Sequence, residues 1–298
     1  MTGDLYPTRT SGRPSFIDRV DPVAYGGASD GPLTPGDLAG FDASGFHTFD
    51  RLIDPGEVAI CRAELRRLSE DPALRADDRT VIEPGSAEVR SVFEVHKISE
   101  VFARLLSDPR VVEPARQVLG SDVYVHQSRV NFKPGFGGNG FYWHSDFETW
   151  HAEDGMPRMR AVSVSIALTE NLDSNGPLMI MPGSHRTFVS CPGETPEDHY
   201  KESLKNQEIG TPDPGSLRTL AGKHGVQQFT GPAGSATMFD CNCMHGSNSN
   251  ITPFPRSNVF VVFNSVENTL REPFAAPVPR PSFIAARDFT PAGREPGS

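Results

Sequence analysis

Between Arg160 and Leu168 the chain alternates small side chains (Ala161, Ser163, Ser165, Ala167) with larger apolar ones (Val162, Val164, Ile166, Leu168). Period-two alternation of that length predicts a strand with two different faces. Val123 to Lys133 has strand composition, and Val226 to Phe229, Ser235 to Cys243 and Asn258 to Asn264 add further strands between Pro- and Gly-rich turns. Before residue 121 the pattern is helical. Thr34-Pro35-Gly36-Asp37 reads as a helix start, and Asp54 caps a second helix with Pro55 at its first position, running through Ala63, Leu65 and Leu68. Residues 98 to 119 read as helix broken at Asp108-Pro109.

Helices first and short strands later predict a mostly β protein with flanking helices. Its core is a jelly roll, a cupin-like double-stranded β-helix, over about residues 121–265, buttressed by the N-terminal helices. One domain spans residues 1–298 in this reading. Residues 1–30, rich in Gly, Pro, Ser and Thr, form an extended arm, free or docked. The polar stretch of residues 185–225 is a long loop, read as a rim or lid. No internal repeat is evident.

Charge narrows the function classes. Among 298 residues, 28 Lys and Arg against 38 Asp and Glu give a formal charge of −10. An acidic chain without a basic run is a poor partner for nucleic acid or an anionic membrane. Its longest strongly apolar run, Val259 to Phe263, is too short to cross a bilayer, and its start lacks the apolar core of a signal peptide. Cys61, Cys191, Cys241 and Cys243 lack the spacing of a zinc knuckle or disulfide framework. Reduced thiols in a cytoplasmic protein are the expectation; the sequence does not give the oligomeric state, and a homodimer is compatible with base rate.

Candidate chemistry centres on His144-Ser145-Asp146. On extended backbone, residues i and i+2 point to one side, so an imidazole and a carboxylate would converge. Alone, such a pair is more often an ordinary hydrogen-bonded contact. Iron(II) oxygenases need two His and one carboxylate on one face of an octahedron. The distant third ligand is either His224, in a turn-like segment, or His245. The latter follows Phe239, Cys241 and Cys243 at strand period, and if that strand continues it points into the barrel. We take His245. A 2-oxoglutarate bound to such an iron needs a cation for its far carboxylate. Arg256 and Lys133 are the candidates, against a reading of each as a solvated surface charge.

The run from Phe141 to Arg160 (FYWHSDFETWHAEDGMPRMR), with Gln127 to Lys133 and Met244 to Arg256, resembles the phytanoyl-CoA dioxygenase-like superfamily of iron(II)- and 2-oxoglutarate-dependent oxygenases. Within it the chain is similar to the ectoine hydroxylases, over about residues 40–290. The resemblance implies iron ligands at His144, Asp146 and His245. It implies 2-oxoglutarate contacts at Lys133, Arg256, Asn131 and Ser247, and an ectoine pocket of Gln127, Trp150, Phe239 and Phe263. Unaided, Trp150 reads as core packing or a surface aromatic, and each phenylalanine as simple core. The implied reaction is 5-hydroxylation of ectoine, with 2-oxoglutarate and O2 as co-substrates, in compatible-solute formation under osmotic stress. The alternative is a related hydroxylase acting on another small amino-acid-like substrate.

Overall fold

The computed structural model describes residues 3–83, 86–205 and 207–293. Met1 and Thr2 of the expected arm, and the end of the expected domain at 294–298, lie outside them. The strands are β1 (Phe16–Asp18), β2 (Phe46–Phe49), β3 (Thr80–Ile82), β4 (Val89–Phe93), β5 (Val123–Lys133), β6 (Phe141–His144), β7 (Ala161–Ala167), β8 (Leu178–Ile180), β9 (Thr187–Val189), β10 (Gln227–Phe229), β11 (Ala236–Asp240), β12 (His245–Ser247) and β13 (Arg256–Ser265). The helices are α1 (Pro35–Ser44), α2 (Pro55–Glu70), α3 (Pro72–Arg75), α4 (Val95–Ile98), α5 (Glu100–Ser107), α6 (Pro109–Leu119), α7 (Asp146–Thr149), α8 (Tyr200–Ser203) and α9 (Pro214–His224).

The main sheet runs β2-β11-β7-β13-β5-β4-β3, the smaller one β10-β8-β12-β6, and every pairing is antiparallel. This is the jelly-roll arrangement of two apposed sheets, with helices covering the outer face of the larger. Thr34 and Asp37 form a reciprocal cap on α1, Asp54 and Glu57 one on α2, and Asp108 with Pro109 separates α5 from α6. Leu65, Leu68, Phe102, Leu106 and Val112 of these helices pack in one cluster with Val162, Val164, Ile166, Val259, Val261 and Phe263 of the sheet.

All seven residues of β7 are buried. Its alternation therefore separates the helix side from the barrel interior, where Ser163 and Ser165 point, rather than core from solvent. Before residue 121, β2 to β4 complete the main sheet.

Two expectations are corrected, and one left open is decided. The strand expected over Ser235–Cys243 ends at Asp240, whose carboxylate accepts from the Asn242 amide at 2.8 Å and turns the chain. The stretch 185–225 is not a featureless loop: it holds β9 and the helices α8 and α9. The arm is docked, with β1 paired to β9 and Tyr6 fully buried. Among the described residues no helix is long and apolar enough to cross a membrane.

Candidate metal centre

His144 ends β6 and His245 begins β12, and the antiparallel register sets them directly opposite each other, ring centroids 4.3 Å apart. Ser145 is extended, so Asp146 returns to the side of His144 before the chain enters α7. The three side chains offer ligand atoms all within 4.8 Å of one another, and all three residues are buried. His144 Nε2 lies 3.7 Å from one Asp146 oxygen and His245 Nε2 lies 3.9 Å from the other, too long for hydrogen bonds.

The tautomers are fixed by the backbone. His144 Nδ1 donates to Tyr142 O at 2.7 Å and His245 Nδ1 donates to Cys243 O at 3.0 Å. Each ring therefore presents a bare Nε2 lone pair toward the same point. Ser163 Oγ donates to Asp146 Oδ2 at 3.2 Å. Burial would raise the Asp146 carboxyl, but His245, His144 and Arg129 hold it well below the usual range. Burial pushes the His245 imidazole down to about 4, His144 adding to this and Asp146 opposing it. Two imidazoles with Nε2 turned inward and one carboxylate, without a thiolate, are the donor set of a non-haem iron(II) facial triad. A closed structural zinc site would want a fourth protein ligand, and the described residues bring none into this cluster.

A cavity runs from His144 and His245 past Phe141, Leu178 and Phe260 to Lys133, Ser247 and Arg256. Arg256 and Lys133 are directly paired across β13 and β5, and both are buried. Neither forms an ion pair among the described residues. Lys133 Nζ donates to Ser247 Oγ at 2.8 Å and Gly176 O at 3.3 Å; Arg256 donates to Asn171 Oδ1 at 3.2 Å and Gly176 O at 2.9 Å. Burial lowers Arg256 to about 10, and burial with Arg256 and Arg90 lowers Lys133 to about 6. A buried guanidinium beside a lysine that a bound carboxylate would charge, both facing neutral acceptors among the described residues, makes a strong anion site. Asn131 lines the same end and accepts from Ser91 at 2.8 Å.

The other expected contacts are placed less uniformly. Phe239 has its ring 5.0 Å from that of His245. Gln127 is buried, donating to Ile284 O at 2.8 Å and accepting from Arg129 at 3.1 Å. Trp150 is buried one turn beyond Asp146, its ring 5.1 Å from His126 and in a cluster with Val262. Neither Gln127 nor Trp150 walls the cavity. Phe263 belongs with Val259 and Val261 beneath the helices. Phe260 is the phenylalanine of β13 that lines the cavity, since 256, 258 and 260 share the inward face. That parity was available in the sequence. Arg129 and Asn258 were missed although they sit on recognised strands. Asn171 and Gly176 lie in a turn whose partners sequence does not reveal. His224, the other histidine weighed, ends α9 beside Gly183, outside the cluster.

Residues 41–258 match the phytanoyl-CoA dioxygenase family. The chain is 65% identical to the ectoine dioxygenase of Streptomyces coelicolor over 289 residues, covering 97% of this chain and 96% of that one. Its fold is similar to crystal structures of EctD from S. alaskensis at 47% identity. The one with 2-oxoglutarate and 5-hydroxyectoine has TM-score 0.88 and 97% of each chain covered. The one with bound Fe has TM-score 0.87 and 98% of each covered.

Two expectations arise from this geometry. Phe263→Ala should cost roughly 3–5 kcal/mol of stability and leave turnover per folded molecule unchanged, while Phe260→Ala should impair turnover; chemical denaturation and initial rates read the two, and the opposite pattern would reverse the facing. Secondly, with Lys133 lowered to about 6, the free protein at pH 8 carries it largely as an amine. A carboxylate seated there raises it, so binding of a small dicarboxylate should take up as much as one proton, and uptake should vanish below pH 6. Calorimetry in two buffers of different ionisation enthalpy checks this; proton release at pH 8 would contradict it. The same sign makes Lys133 cost stability fully below pH 6, a cost relieved as pH rises toward 10.5.

Proposed function

The chain belongs to the phytanoyl-CoA dioxygenase family, and from that premise we propose that it is an iron(II)- and 2-oxoglutarate-dependent hydroxylase of ectoine. It converts ectoine, 2-oxoglutarate and O2 to 5-hydroxyectoine, succinate and CO2. The observation that carries the reaction class is the pairing of two free Nε2 atoms and a carboxylate at one end of a cavity with Arg256 and Lys133 at the other, neither in an ion pair among the described residues. The substrate rests on the likeness to ectoine dioxygenases along nearly the whole chain.

His144, Asp146 and His245 hold the iron, which supplies the oxidant when bound with O2 and 2-oxoglutarate. Tyr142 and Cys243 carbonyls keep the imidazoles in the tautomer that ligates. Arg256 and Lys133, with Ser247 and Asn131, take the far carboxylate of 2-oxoglutarate and so orient its keto acid end toward the histidines. Phe260 and Leu178 keep water from the passage between. For the cationic ring of ectoine, Trp150 offers an aromatic face and Gln127 a neutral hydrogen-bonding edge, with Phe239 beside His245. Gln127 must then exchange one of its internal bonds for substrate. Four buried free cysteines fit a reducing cytoplasm.

Purified protein supplied with iron(II), 2-oxoglutarate and air should add one oxygen atom to ectoine, with succinate formed in equal amount, when ectoine, free proline and an acyl-CoA are offered side by side. Product masses decide it. Preference for proline or the acyl-CoA would overturn the ectoine assignment and leave the oxygenase class standing; absence of iron-dependent succinate with any of them would overturn both.

A further inference from the structure

The N-terminal arm runs along the segment that Asp146 begins. Asp4 Oδ1 lies 3.0 Å from His151 Nε2, and Tyr6 sits edge-on to Phe147 at 5.3 Å. Thr8 Oγ1 donates to Glu148 Oε1 at 2.7 Å. Arg9 closes the set: Nε and Nη2 donate to the two Glu148 oxygens at 2.7 and 2.9 Å, and Nη2 also to Glu153 at 3.1 Å. All three charged side chains are at most 2% exposed.

This concentration of charge is placed against an unusual piece of backbone. After α7 the chain makes a π-helical turn over Trp150–Asp154, a wide and uncommon turn frequent at functional sites. Glu148 on α7 and Glu153 on this turn would repel each other in a dry interior, and Arg9 is a cation between them. Arg9 itself is held at φ 55°, a left-handed conformation costly for a residue with a side chain. Its amide is fixed to Cys191 O at 2.7 Å. Gly210 closes over the same spot: a Cβ there would lie 2.3 Å from Arg9 Nη2 and 2.5 Å from Glu148 Oε2. Among the described residues Ser163 is the hydroxyl that donates to the Asp146 carboxylate, from the neighbouring strand β7. The direction of that carboxylate depends as well on how the following turn is held.

We propose that Arg9 is a positioning residue for the metal centre: by clamping Glu148 and Glu153 it fixes the α7–π turn that aims the Asp146 carboxylate and seats Trp150. This rests on the reading of Asp146 as an iron ligand. Supporting groups behind metal ligands typically change affinity 10- to 100-fold when lost.

The test titrates metal-free full-length protein with iron(II) under anaerobic conditions against a chromophoric chelator, and measures hydrogen exchange of the 147–154 amides. Arg9→Met should weaken iron binding roughly tenfold or more, speed exchange in that segment, and raise succinate formed per hydroxylated product. Arg9→Lys, which keeps the charge and loses the fork, and Thr8→Val should shift iron affinity the same way by less. Leu106→Ala, in the helix-side cluster, should lower the melting temperature and leave iron affinity unchanged. Wild-type iron affinity in folded Arg9→Met would overturn the proposal. If that variant does not fold, wild-type affinity in both Arg9→Lys and Thr8→Val would do so. Iron affinity and exchange involve no ectoine, so failure of the substrate assignment would show in the wild-type product assay and not here.

Discussion

The cross-strand pair His144–His245 is the contact on which the rest of the site depends. It exists because β6 and β12 are neighbours in the smaller sheet and meet in that register. Cross-strand partners approach closely enough for two imidazoles to share one target. Each ring then spends its Nδ1 proton on a carbonyl two residues back in its own chain, which leaves the Nε2 atoms bare. A slip of one residue would turn one ring to the other face of the sheet. Asp146 needs no separate strand. One extended residue, Ser145, returns it to the histidine side, and the chain turns into α7 immediately afterwards.

At the far end of the cavity the fold accepts a cost. Lys133 and Arg256 are buried against carbonyls, an amide and a hydroxyl, without a carboxylate. Burying unpaired cations opposes folding, and the lowered pKa values of both are the mark of that opposition. An anion bound between them recovers the missing pairing. In the proposed function one short dicarboxylate spans metal end and cation end, so the same cost that weakens the free protein would sharpen its choice of co-substrate.

Much of this was legible in the sequence because it depends on local spacing. His-x-Asp on extended backbone, the capped helices and the long strand of Val123–Lys133 all follow from period and turn chemistry. His245 was chosen by a route that the structure replaces. The strand thought to carry it stops at Asp240, and it reaches the site from a new strand in the other sheet. Phe263 was placed in the substrate pocket although strand parity from Arg256 favours Phe260. What sequence did not disclose was long-range: β9 is three residues long and pairs with the arm, Arg9 meets Glu148 across 139 positions, and Asn171 and Gly176 reach Arg256 from a turn. No local pattern encodes such partners.

The central claim is that one co-substrate spans the metal end and the cation end. The direct measurement is anaerobic titration of iron(II)-loaded protein with 2-oxoglutarate, followed by the visible charge-transfer absorption of the keto acid chelate. Wild type should develop the band and saturate. Arg256→Ala should need about 100-fold more 2-oxoglutarate, the equivalent of roughly 3 kcal/mol for a carboxylate that has lost its buried partner. Equal affinity in the two proteins, or no band in the wild type, would contradict the account.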